Sequence, residues 1–89
     1  MKRDRQFEFI KDSRFSDNPQ GELNKMTKEL EQNIVDLGIL TVFPTRVLDF
    51  NDGTISFRKT FRIEKRKGFS WNNLYTVINK IQAPYYNIV

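Results

Sequence analysis

The chain reads as a small α+β domain, an antiparallel sheet with two helices packed on one face. Three observations lead there. Residues 39–67 have the form of one long β-hairpin turned at Asn51-Asp52-Gly53. Two other segments, one after Asn18 and one after Ser70, carry apolar residues at helical spacing. A further strand-like run, Arg5-Gln-Phe-Glu-Phe-Ile-Lys11, precedes both.

The bulk numbers agree with one domain, because 89 residues leave no room for a second core. A chain of this size buries only about 60–65% of its unfolded surface, so each large side chain matters. Eight Phe, three Tyr and one Trp supply that bulk. With 38% apolar and 29% charged residues, the composition is that of a folded domain and not of a disordered tail.

The elements follow in order. In residues 5–11, Phe7 and Phe9 share one face, and Ile10 interrupts the alternation. Residues 12–21 are polar, rich in turn formers and read as a loop. Asn18-Pro19 is a helix-start signal, since Asn caps free N–H groups and Pro suits the first helical position. Gly21 weakens that first turn and would allow a later start, at Gly21 or Glu22. Leu23, Met26, Leu30, Ile34 and Leu37 then form one apolar stripe. Gly38 is placed to end this helix as a left-handed cap.

The second strand covers residues 39–50 and the third residues 54–65. The third alternates strictly, with Ile55, Phe57, Phe61 and Ile63 opposite Ser56, Arg58, Thr60, Arg62 and Glu64. A two-residue turn at Asp52-Gly53 pairs Phe50 with Ile55 and puts Leu40, Val42, Pro44, Arg46, Leu48 and Phe50 toward the core. A three-residue turn shifts the pairing by one and turns the less apolar Thr41, Phe43, Thr45, Val47 and Asp49 inward. The first register is therefore expected. It carries two defects: Pro44 cannot donate to a ladder, and Arg46 faces Lys59. A bend at residues 44–46, with the turn end protruding beyond the core, would relieve both.

Ser70 caps the second helix, with Phe69 and Leu74 spaced as a hydrophobic staple. Trp71, Leu74, Ile78 and Ile81 make its apolar stripe, Tyr75 and Val77 lie at its margins, and Pro84 closes it. Residues 85–89 are β-prone and would add a final strand. The order β-α-β-β-α(-β) is the split βαβ order of ferredoxin-like folds.

Composition also excludes chemistry. Without Cys or His there is no disulfide, zinc finger, c-type haem attachment or imidazole-dependent nucleophile. Asp49 and Asp52 sit near the turn, whereas Glu64 lies roughly 30 Å along the strand from that end, so no carboxylate cluster forms there. A non-enzymatic protein with no cofactor is expected. No apolar run approaches the length of a membrane helix and no apolar segment follows Met1-Lys-Arg-Asp-Arg5, so a cytoplasmic protein without membrane contact is expected too.

Charge is distributed unevenly. The net charge is +4. Residues 17–37 carry five acids against two Lys, whereas residues 39–67 carry seven Lys/Arg against three acids. On the sheet face away from the helices stand Arg58 and Arg62, with Phe43 on the neighbouring strand. Arg46 and Lys59 near the turn, Lys65-Arg66-Lys67 beyond the third strand, and Lys2, Arg3 and Arg5 at the start of the chain extend this patch. Guanidinium groups bind phosphate in bidentate fashion, and an exposed aromatic offers a stacking surface to a base. DNA or RNA is therefore the expected partner. The RNA-recognition signature of Lys/Arg-Gly-aromatic-Gly/Ala-aromatic is not met, because the aromatics of residues 53–61 have core-facing parity.

Three alternatives stand beside it. Arg58 and Arg62 would be a solvated face that blunts aggregation, with Glu64 and Asp49 as their partners. The protruding hairpin or its edge would bind an acidic protein partner, as in a small inhibitor or adaptor of phage or mobile-element type. The same edge would make a homodimer. Tyr85 and Tyr86, if exposed, would belong to such a partner surface.

Overall fold

A computed structural model describes residues 3–82. The elements are β1 (Asp4–Asp12), α1 (Pro19–Ile34), β2 (Gly38–Val42), β3 (Arg46–Asp49), β4 (Ile55–Lys65) and α2 (Trp71–Gln82). The long β4 is the hub: β1 pairs antiparallel along one side, and β2 and β3 follow one another antiparallel along the other. With β2 and β3 taken as one interrupted strand, β4 lies between the first and second strands, as a split βαβ unit requires. The described residues thus carry the α+β architecture, a four-stranded antiparallel sheet with two helices. The closing strand expected over residues 85–89, like Pro84, lies outside them.

Both helices cover the same face. Phe9, Phe61 and Ile63 from the sheet join Leu23, Met26, Leu30 and Ile34 of α1 and Leu74, Ile78 and Ile81 of α2 in one buried cluster. Phe9 and Phe61, on adjacent strands, meet edge to face at 4.9 Å. The α1 stripe is the expected one, although Leu37 falls beyond the helix and packs half-buried against the core.

The start of α1 is set by its cap. Asn18 Oδ1 accepts from Gly21 N–H at 3.2 Å, and Pro19 opens the helix. Gly21 does not delay the start. A Cβ at this position would lie 2.2 Å from Asn18 Nδ2, so the missing side chain makes room for the cap. Lys11, buried at the end of β1, pairs with Glu22 in the first turn of α1 at 3.6 Å and ties strand to helix. At α2, Ser70 and Asn73 form a reciprocal cap, with Ser70 N–H donating to Asn73 Oδ1 at 2.9 Å and Asn73 N–H to Ser70 Oγ at 3.4 Å.

Gly38 is not the left-handed cap. α1 ends at Ile34 with Val35 still in right-handed helical geometry, and positive φ occurs at Gly53 and Gly68 instead. Gly38 begins β2, where a Cβ would come within 2.7 Å of the Glu64 carbonyl oxygen. Glycine is needed there for close approach, not for its conformation.

The register also departs from expectation. Asn51-Asp52-Gly53 forms a three-residue loop closed by Phe50 N–H to Thr54 O at 2.9 Å and Gly53 N–H to Phe50 O at 3.1 Å. β3 therefore pairs Arg46 with Arg58 and Val47 with Phe57, turning Val47 and Asp49 to the helix side. Residues 43–45 then insert one extra residue opposite β4, and β2 pairs Val42 with Phe61 and Leu40 with Ile63. The extra residue restores the expected inward parity of Leu40 and Val42. The reason is local. At the tip the helices no longer cover the sheet, and Val47 and Phe50 are exposed, so no hydrophobic penalty selects the two-residue turn. Turn chemistry decides instead, through the left-handed Gly53 (φ 86°) and the Asp52 carboxylate that accepts from Thr54 N–H at 3.0 Å. The bend at Pro44 and the protruding tip are as anticipated.

Two carboxylates at this end respond to acid. The Arg14 side chain holds the Asp12 carboxyl below its usual range, and the Thr54 backbone N–H does the same for Asp52. A carboxyl depressed in the folded state contributes stability above its unfolded value near 4, and that contribution is lost as pH falls through the folded value. The urea midpoint should therefore drop as pH falls below about 4, and the Asp12→Ala/Asp52→Ala variant should show a smaller drop. An equal drop in the two proteins would contradict this assignment.

Candidate nucleic-acid interface

Strand parity places the open face. Phe7, Phe9, Phe61 and Ile63 point to the helices, so Asp4, Gln6, Glu8, Ile10 and Asp12 of β1 point away, as do Ser56, Arg58, Thr60, Arg62 and Glu64 of β4. From the other side β2 adds Ile39 and Thr41, and β3 adds Arg46 and Leu48. Both helices pack on the opposite face, and on this one Ser56 is buried at the hairpin end.

Arg46, Arg58 and Arg62 are brought together here. Arg46 stands directly across from Arg58, whose other neighbour is Ile10 on β1. The three-residue turn thus corrects the position of Arg46. It leaves the nominally buried face opposite Lys59 and joins the open one. Arg58 is half-buried, and its Nε is enclosed without a hydrogen-bond partner. Arg62 is exposed, between Gln6 and Thr41. The ion pairs Lys11–Glu22 and Arg14–Asp12 involve none of these three arginines. Glu64 and Asp49 therefore do not neutralise Arg58 or Arg62 by direct pairing. Asp49 lies on the other face altogether, across from Ile55.

Phe43 belongs to the irregular segment, which is anchored by Phe43 N–H donating to Thr60 O at 3.0 Å. It is half-buried and lines a shallow depression of about 460 Å³ with Gln6, Pro44, Thr45, Arg46 and Thr60. A second depression of about 470 Å³, lined by Asp4, Arg5, Gln6 and Arg62, adjoins it through Gln6.

Other expected residues lie elsewhere. Lys59 stands across from the buried Phe9, which puts it on the helix side, because β4 alternates without a break. Arg5 is also on the helix side. Its guanidinium lies over the rings of Trp71 at 4.8 Å and Tyr75 at 5.8 Å and donates to the Tyr75 hydroxyl. Trp71 packs against Phe7 beside it, with its Nε1 buried and unpartnered among the described residues. Arg66 is taken up by α1: its N–H donates to Leu37 O at 2.8 Å and its Nε to Val35 O at 3.3 Å, where cations complement a helix C-terminus. Lys65, Arg66 and Lys67 sit at the end of β4 farthest from Arg58, where Lys65 N–H donates to Arg3 O. Lys2, Tyr85 and Tyr86 lie outside the described residues.

The sequence reading missed the β1 side of this face. Asp4, Glu8 and Asp12 form an acidic row beside the arginines, with Glu8 across from Thr60 and so diagonal to both Arg58 and Arg62. Gln6 is missed as well. The signal was present in the even-numbered positions of β1, opposite in parity to Phe7 and Phe9, but not the identity of the strand next to β1.

Among the described residues no three carboxylates gather to hold a metal ion, and no helix is long and apolar enough to cross a membrane. Comparison with protein-family models, with curated proteins and with solved structures finds no match.

Proposed function

We propose that this is a non-enzymatic, cytoplasmic nucleic-acid-binding protein whose interface is the open sheet face. One observation carries this reading. Arg46, Arg58 and Arg62 share that face without a salt bridge to any carboxylate among the described residues, and Arg46 lines a depression there with Phe43. Guanidinium groups held on a sheet, with an aromatic beside them, suit a phosphate backbone and its bases. Fluorescence anisotropy with labelled oligonucleotides tests this. Three neutralised phosphates predict a loss of about 20–40-fold in affinity between 50 and 200 mM salt, and removal of Arg58 or Arg62 should lower the salt slope by about one. Affinity that ignores salt, or survives Arg58→Ala/Arg62→Ala unchanged, would count against the proposal.

A second reading, a protein-interaction module, is favoured by the outer edge of β2 and β3. Here Ile39, Val42 and Val47 are exposed along strands that pair on one side with β4. A partner captured equally from nuclease-treated and untreated lysate, by a protein that binds no oligonucleotide, would favour it.

A further inference from the structure

Resting on that reading, we propose that the open face selects single-stranded over duplex nucleic acid. Two features of the face argue for it.

The first is the width of the basic track. Arg62 and Arg58 lie along β4 about 13 Å apart at strand rise, and Arg46 adds one position on the adjacent strand, about 5 Å away. On the β1 side, one strand spacing of about 5 Å away, the row is Asp4, Gln6, Glu8, Ile10 and Asp12. The track is therefore one backbone wide, with carboxylates along one flank and, among the described residues, the edge of the sheet on the other. A duplex carries a second phosphate backbone about 6–12 Å away across a groove. Placed over β1, that backbone meets Glu8 and Asp4; placed the other way, it hangs beyond the sheet edge and gains nothing. A single strand has one backbone to place.

The second feature is the depression beside Arg46. Phe43 lines it with the Gln6 amide and the hydroxyl-bearing Thr45 and Thr60. An aromatic wall with amide and hydroxyl groups suits a base presented by face and edge. In a duplex the bases are stacked and paired and cannot enter; in a single strand they can turn out onto an aromatic. The two features thus act on the same choice, one repelling the second backbone and one rewarding an unpaired base.

The test compares one labelled DNA 12-mer as a single strand and annealed to its complement, at about 50 mM salt, with the fold of each variant verified by circular dichroism. The single strand should bind at least about tenfold more tightly. Phe43→Ala should weaken single-strand binding about tenfold with little effect on the duplex. Glu8→Lys, at an exposed position, should narrow the preference by raising duplex affinity several-fold. Duplex binding as tight as single-strand binding overturns this inference while leaving the binding face in place. Single-strand affinity unchanged in Phe43→Ala, or a preference unchanged in Glu8→Lys, also overturns it. Absence of binding to both forms overturns the reading of the face itself.

Discussion

Replacing Phe61 with alanine should cost about 3–5 kcal/mol, the range for an aromatic truncated in a core that cannot collapse around the gap. Phe61 is fully buried on the central strand, flanked across the ladders by Phe7 and Val42, with the Phe9 ring 4.9 Å away. Its neighbours are held by two ladders, so they have little freedom to fill the space. A domain of this length has about 4–13 kcal/mol of total stability, so this one change removes a large share. At about 4–8 °C per kcal/mol, the melting temperature should fall by roughly 12–40 °C. Phe50→Ala, at the exposed tip, should stay within about 0.5 kcal/mol. Thermal melts and urea midpoints of the two variants check the contrast, and a Phe61→Ala loss below about 1 kcal/mol would contradict this account of the core.

Gly38→Ala should be the costliest of the glycine substitutions, at about 1–3 kcal/mol. Its Cβ would meet the Glu64 carbonyl oxygen at 2.7 Å and Ile63 Cγ2 at 3.0 Å. The nearer atom is backbone and belongs to the strand that β2 pairs with, so relief requires β2 to move away from β4. That movement would loosen the ladder bonds of Ile39 and Thr41 and open the groove bounded by Ile34 and Val35. Amide exchange should accelerate at Ile39 and Thr41, whose N–H groups face β4, while β1 keeps its protection. By contrast, a side chain at Gly53 meets open space and is opposed by its positive φ alone, at about 1–2 kcal/mol. Unchanged exchange along β2 in Gly38→Ala would show that the contact is absorbed elsewhere.

The two substitutions fall on opposite sides of what the chain declares locally. Phe61 as a core residue follows from alternation within one strand. Gly38 does not, because a Gly at the end of an apolar helical stripe has the same local appearance whether it caps the helix or lets a strand pass close by. What separates the two roles is Glu64, distant in sequence and adjacent in space.

The binding face divides in the same way. That Arg58 and Arg62 share a face with Thr60 follows from strand period alone. That Arg46 joins them, that Lys59 does not, and that Arg5 rests against Trp71 all depend on which strand or helix lies alongside.

By itself the sequence determined the α+β class, the two helices with their Asn18 and Ser70 starts, the Asp52-Gly53 turn region, the break at Pro44 and the inward residues of β1 and β4. These rest on interactions within a few residues: caps, turn geometry and the periods of helix and strand. The tertiary structure alone decided the one-residue register of β3, the place of Gly38 against Glu64 and the acidic row beside the arginines. Each of these depends on a neighbour far along the chain. At the hairpin tip, where no helix covers the sheet, hydrophobic burial stops selecting the register and turn chemistry takes over. That substitution of one force for another moved Arg46 onto the open face.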